Sequence, residues 1–147
     1  MIDPKRELLR HMVATVAFRG RIAVSGAPPN FATFKAVESA RTPGEILAHI
    51  GDLLFGSHYL LKGEFVYLKS DPLCWDEEIA RFFNGVRELD SFLATDGPLA
   101  HPLEKLVQGP IGDALTHVGQ IVLLRRIAGS PVEAASYFEA EITPGVY

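Results

Sequence analysis

The sequence predicts an all-α fold: a four-helix bundle with a short extra helix and an irregular C-terminal tail, in a single domain over residues 1–147. Three observations predict it. Apolar residues recur at helical spacing in four long segments, the alternating apolar–polar pattern of strands is nearly absent, and proline and glycine fall between the segments. Hydrophobic residues make up 48% of the chain and charged residues 22%, a globular balance with enough apolar material for one sizeable core. Helical segments of this number and length bury their faces most simply against one another, as an antiparallel bundle.

The first helix is predicted over Pro4–Val24, with Asp3 as N-cap and Pro4 at the first helical position. Leu8, Leu9, Met12, Val13 and Val16 supply its apolar spacing. "SGAPPNFATFKAVESA" follows, and its Pro28-Pro29 pair forbids regular helix. This link is longer than a tight hairpin needs, which leaves room to cross the bundle. The second helix has the strongest start signal: Thr42 at the N-cap, Pro43 in the first turn and Glu45 three residues after the cap form a capping box. Ile46, Ile50, Leu53, Ser57, Leu60 and Leu61 then run along one side. A third helix is predicted over Trp75–Ala94, with Phe82, Val86, Leu89, Phe92 and Leu93 directed to the core. After a "TDGP" turn and the short piece "PLEKLVQ", Gly109-Pro110 opens the last long helix, which Gly129 and Ser130-Pro131 end. The remaining "VEAASYFEAEITPGVY" carries no clear periodicity.

The formal net charge of −4, without a Lys/Arg-rich run, argues against a nucleic-acid partner. A single cysteine, Cys74, excludes an intrachain disulfide and a cysteine-rich zinc cluster. "MIDPKRELLR" has charges where a signal peptide needs an apolar core, and no apolar run reaches membrane-spanning length. The expectation is a cytoplasmic protein with no membrane partner.

The last long helix, "GPIGDALTHVGQIVLLRRIAG", raises the functional question. At about 100° per residue, Asp113, His117, Gln120 and Leu124 share one side, while Ile111, Leu115, Val118 and Val122 cover the other. A helix apolar nearly all round is expected to be buried on more than one face, against the bundle and against a neighbouring helix from a second subunit. A carboxylate buried there must pair, protonate or bind a cation. His49, beside Ile46 and Leu53, should point from the second helix toward the interior, whereas His58 lies on the opposite side of that helix. His49, Asp113 and His117 together would form a two-imidazole, one-carboxylate set suited to zinc, iron(II) or nickel, with positions open for water or substrate. The plainer alternative is an Asp–His hydrogen bond and a satisfied core histidine.

The pattern "TPGEILAHIGDLL", followed by "DALTHVGQIVLLRRIAGSPV", resembles the DinB/YfiT-like superfamily of bacterial four-helix bundles, from the first helix to about Val132. The resemblance implies a divalent metal held by one histidine of the second helix and two of a later helix. His49 matches the first and His117 matches the one preceding Gly-Gln, while Asp113 stands where the other histidine normally stands. Aspartate retains ligand chemistry at that position, and Gln120 would orient a ligand or a water beside the metal. The resemblance implies either a metal-dependent hydrolase or a transferase using low-molecular-weight thiols, acting on a small-molecule or thiol substrate. The alternative is a non-catalytic dimeric bundle, or a small-ligand binder, whose metal site is degenerate. A homodimer is expected from the apolar second side of the last long helix.

Among the other residues, Cys74 reads as a small apolar filler, and His11 and His101 read as surface residues. Arg125 and Arg126 oppose the helix dipole. Tyr137 and Phe138 are placed to cover the open end of the core, with Tyr137 or Glu139 in reach of a pocket mouth.

Overall fold

The computed structural model describes residues 3–147. Its elements are α1 (Pro4–Val24), a 3₁₀ turn (Phe31–Thr33), α2 (Pro43–Leu61), α3 (Trp75–Leu93), a single turn α4 (Leu103–Leu106), a π-helical turn (Val107–Ile111) and α5 (Gly112–Ile127). No strand occurs among the described residues, so the fold is all-α. Among the described residues, no helix is long and apolar enough to cross a membrane.

The local chemistry explains the helix starts. The Asp3 side chain accepts from the Lys5 amide, and Thr42 and Glu45 complete both halves of the capping box at the start of α2. The four long helices close into a ring in which α1 packs on α3, α3 on α2, α2 on α5 and α5 on α1. Thus α1 and α2 stand on a diagonal, and the long proline-containing link between them crosses the bundle. Leu9, Val13 and Val16 of α1 meet Ile50 and Leu54 of α2, Phe82, Val86 and Leu89 of α3, and Val118 and Ile121 of α5 in one continuous core.

Several expectations are corrected. Leu8 is 65% exposed, because it falls outside the arc of α1 that the two flanking helices cover. Cys74 is exposed at the N-cap of α3 and fills no apolar space. Phe138 is 94% exposed, so it does not cover the core; Tyr137 instead packs edge-on against Phe18 and lies 3.9 Å beneath the Arg19 guanidinium, on the outside of α1. The tail does cover part of the bundle, through Tyr147, whose partly buried phenol is pushed up to about 12 by that burial.

Arg125 does more than oppose a dipole. It is buried, and its guanidinium donates to the carbonyls of Ala23, Ser25, Gly26 and Ser130, tying the C-terminal end of α1 to the end of α5. Arg126 remains exposed.

Gly109-Pro110 separates α4 from the last long helix, as the sequence predicts: Gly109, at φ −106°, ψ −106°, has non-helical backbone and marks a kink between two helices. Pro110 follows the kink, where its missing N–H costs no helical hydrogen bond. A Cβ at Gly112 would stand 2.9 Å from the Val107 carbonyl oxygen, so glycine is the residue that lets this turn close. The kink lies just before Asp113, at the start of the helix that carries the polar stripe.

Candidate metal centre

His49 lies on α2, just beyond the first turns that the capping box anchors; Asp113 and His117 lie one turn apart on α5, immediately after the π turn. Because α2 packs directly on α5, the three predicted residues converge. His49 Nε2 stands 3.4 Å from Asp113 Oδ2, and His117 Nε2 stands 3.3 Å from Asp113 Oδ1. The two imidazole rings cross nearly at right angles, 87°, with centroids 4.8 Å apart. One ligand atom from each of the three residues lies within 4.8 Å of the other two.

Gln120 completes the arrangement on α5. Its Oε1 is 2.8 Å from His117 Nδ1, so that nitrogen donates and a neutral His117 ring carries its lone pair on Nε2, toward Asp113. A lone pair facing a carboxylate oxygen is repulsive. Neutral His49 can donate from Nε2 to Asp113, which leaves the His117 Nε2 lone pair free to ligate a cation. The donor chemistry suits a divalent transition metal. Two atoms each about 2.0–2.1 Å from a tetrahedral ion stand about 3.3 Å apart, close to the two Nε2–Oδ distances, but these run to different oxygens and the set spreads over as much as 4.8 Å.

The expectation that the polar stripe is buried is not met. Asp113 is 47% exposed and Gln120 is exposed, while His117 is largely covered and His49 partly so. The buried arc of α5 is Ala114, Val118, Ile121, Leu124 and Arg125. The stripe sits at the margin of that arc, where α2 and α5 diverge, and Asp113 needs no partner to offset burial. As expected, His58 stays away from this site. It packs against Phe92 with Nδ1 3.9 Å from Glu88, and its pKa is lowered, first by burial and then by Lys62. His11 and His101 are exposed.

Two open clefts meet at the triad. One, of about 670 Å³, runs between α2, the 62–74 connection and the π turn, and includes His49 and Asp113 in its wall. The other, of about 550 Å³, adds His117, Gln120, Arg41 and Leu123.

Sequence reasoning missed the polar network that holds the outer wall. Buried Asp52 accepts from the Ser70 amide at 2.8 Å and its hydroxyl at 2.7 Å, and also from Arg81. Arg81 reaches Glu78 and the Ala48 carbonyl as well, passing over Gly51, where any Cβ would collide with the guanidinium. Burial pushes the Asp52 carboxyl up, but the two Ser70 hydrogen bonds and Arg81 outweigh it and hold the group below the ordinary carboxylate range. Asp52 interrupting an otherwise apolar run on α2 was the available signal. Its partners lie 18 and 29 residues away, beyond the reach of helical periodicity.

Comparison with family models, curated proteins and solved structures finds no match for this chain.

Proposed function

We propose that this chain is a metal-dependent enzyme of DinB/YfiT-like type, a hydrolase or a low-molecular-weight-thiol transferase, using zinc, nickel or iron(II) at His49, Asp113 and His117. The observation that carries the reading is the convergence of two imidazole Nε2 atoms on one carboxylate, with His117 Nδ1 already held by Gln120. A divalent ion bound there would acidify water, polarise a carbonyl or favour the thiolate of a cosubstrate. His49 and His117 would supply neutral donors, and Asp113 the negative charge that offsets part of the ion's. Gln120 keeps the His117 ring in one orientation and one tautomer, a role that raises the basicity of the opposite nitrogen. The exposure of Asp113 and the two adjoining clefts leave room for substrate beside the protein ligands, as a catalytic site requires.

The test is the dependence of unfolding temperature on Zn²⁺ or Ni²⁺. A ligand at a hundred times its dissociation constant adds about 2.7 kcal/mol, equivalent to roughly 5–10 °C for a domain of this size. The expected shift vanishes in His117→Ala. Absence of any shift in the unaltered protein overturns the metalloenzyme reading in favour of a non-catalytic bundle. For assembly, the exposed Leu123 and Ile127 on α5 favour a homodimer through that helix. A monomer in sedimentation at micromolar concentration contradicts it.

A further inference from the structure

The larger cleft has a character of its own. Leu53, Leu60, Phe65 and Val66 form its apolar wall, with Pro110 and Gly56 between them. Among the described residues, neither Lys nor Arg lines it, and the carboxylates in its wall are Asp52 and Asp113. Asp52 is already engaged by Ser70 and Arg81. Gly56 is the informative residue. It sits in the interior of α2, where glycine is among the poorest helix formers, yet a Cβ added there would meet nothing within 4 Å. No close packing explains the glycine, and any larger side chain would project into the cleft. A volume of about 670 Å³ is of the size that takes a small organic molecule.

We propose that this cleft binds the uncharged, apolar body of a small molecule, alkyl or aryl, whose ligating head lies at His49 and Asp113. An anionic body is disfavoured, because it would meet the Asp113 carboxylate with no Lys or Arg along the wall to offset it. The placement of the head rests on the metal-site reading; the binding of the body does not.

The experiment uses the full chain stripped with EDTA and the neutral fluorophore N-phenyl-1-naphthylamine. Saturable fluorescence enhancement is expected, displaced by octanamide and much less by octanoate. Gly56→Phe should abolish it without lowering the unfolding temperature, and Gly56→Ala should retain it. No saturable binding, binding undiminished in Gly56→Phe, or octanoate competing as well as octanamide overturns the proposal. Adding Zn²⁺ should then tighten octanohydroxamate but not octanamide. If Zn²⁺ shifts the unfolding temperature yet leaves octanohydroxamate unchanged, the head does not lie at the metal and the arrangement is overturned. If Zn²⁺ produces no thermal shift, the metal reading has failed, and the metal-free arm still decides the cleft.

Discussion

Replacing Asp52 with asparagine removes one charge from the network that holds the 62–74 connection against α2 and α3. The carboxylate accepts two hydrogen bonds from Ser70 and a third from Arg81, and the residue is buried. A hydrogen bond to a charged group contributes about 1.5–3 kcal/mol, and stranding the partner of a buried ion pair costs about 3–5 kcal/mol. Arg81 is not stranded, because Glu78 Oε1 at 3.3 Å and the Ala48 carbonyl at 3.0 Å remain. The expected cost at pH 7 is therefore about 2–3 kcal/mol, below the full penalty of a broken pair. The sign of its pH dependence follows from the lowered folded-state pKa. Above the ordinary value of 3.8 the advantage of aspartate is complete; as pH falls through the lower folded-state value, the carboxyl protonates and the advantage disappears. Urea unfolding of both proteins at pH 7 and at successively lower pH measures the gap. A gap under about 0.5 kcal/mol at pH 7, within the range of ordinary surface substitutions, would refute the reasoning, as would a gap that persists undiminished at the acid end.

Arg125→Met should cost about 1–3 kcal/mol by chemical denaturation, since it leaves the buried Ala23 carbonyl without its donor and removes the part-buried hydrogen bonds to the Ser25 and Gly26 carbonyls; a loss under about 0.5 kcal/mol would mean water replaces the guanidinium without penalty. Thr42→Ala removes one half of the α2 capping box and should cost about 1 kcal/mol, read as a small fall in unfolding temperature with unchanged helical content. Gln120→Leu should weaken metal binding about 10–100-fold while leaving the metal-free stability nearly unchanged, because Gln120 is exposed and acts through His117 Nδ1; equal affinity in calorimetric titration counts against its positioning role.

The parts of this architecture that sequence alone revealed are those set by local chemistry. Thr42, Pro43 and Glu45 define the start of α2 within four residues, and that start fixes where His49 falls. Asp113, His117 and Gln120 are related by helical spacing alone, so their shared side was readable before their burial was. The inward arc of α5 was not readable, because apolar residues surround that helix and no periodicity favours one face. Ile111 and Ile121 are fully buried while Leu123 and Ile127 are exposed, a division set by the packing of α1 and α2 on this helix. Gly109-Pro110 reads as a helix break in sequence, and the non-helical backbone of Gly109 bears that out. Arg125, Asp52 and Arg81 are polar residues whose partners lie far along the chain or on main-chain carbonyls, so composition marks them as surface groups.

The central claim is that His49, Asp113 and His117 form a working metal site despite the aspartate. Its most direct test is calorimetric titration of Zn²⁺ and Ni²⁺ into untagged, EDTA-stripped protein, alongside Asp113→Ala and Asp113→His. One ion per chain, lost in Asp113→Ala and retained in Asp113→His, is the predicted result. No binding by the unaltered protein, or binding that Asp113→Ala leaves intact, would contradict the claim.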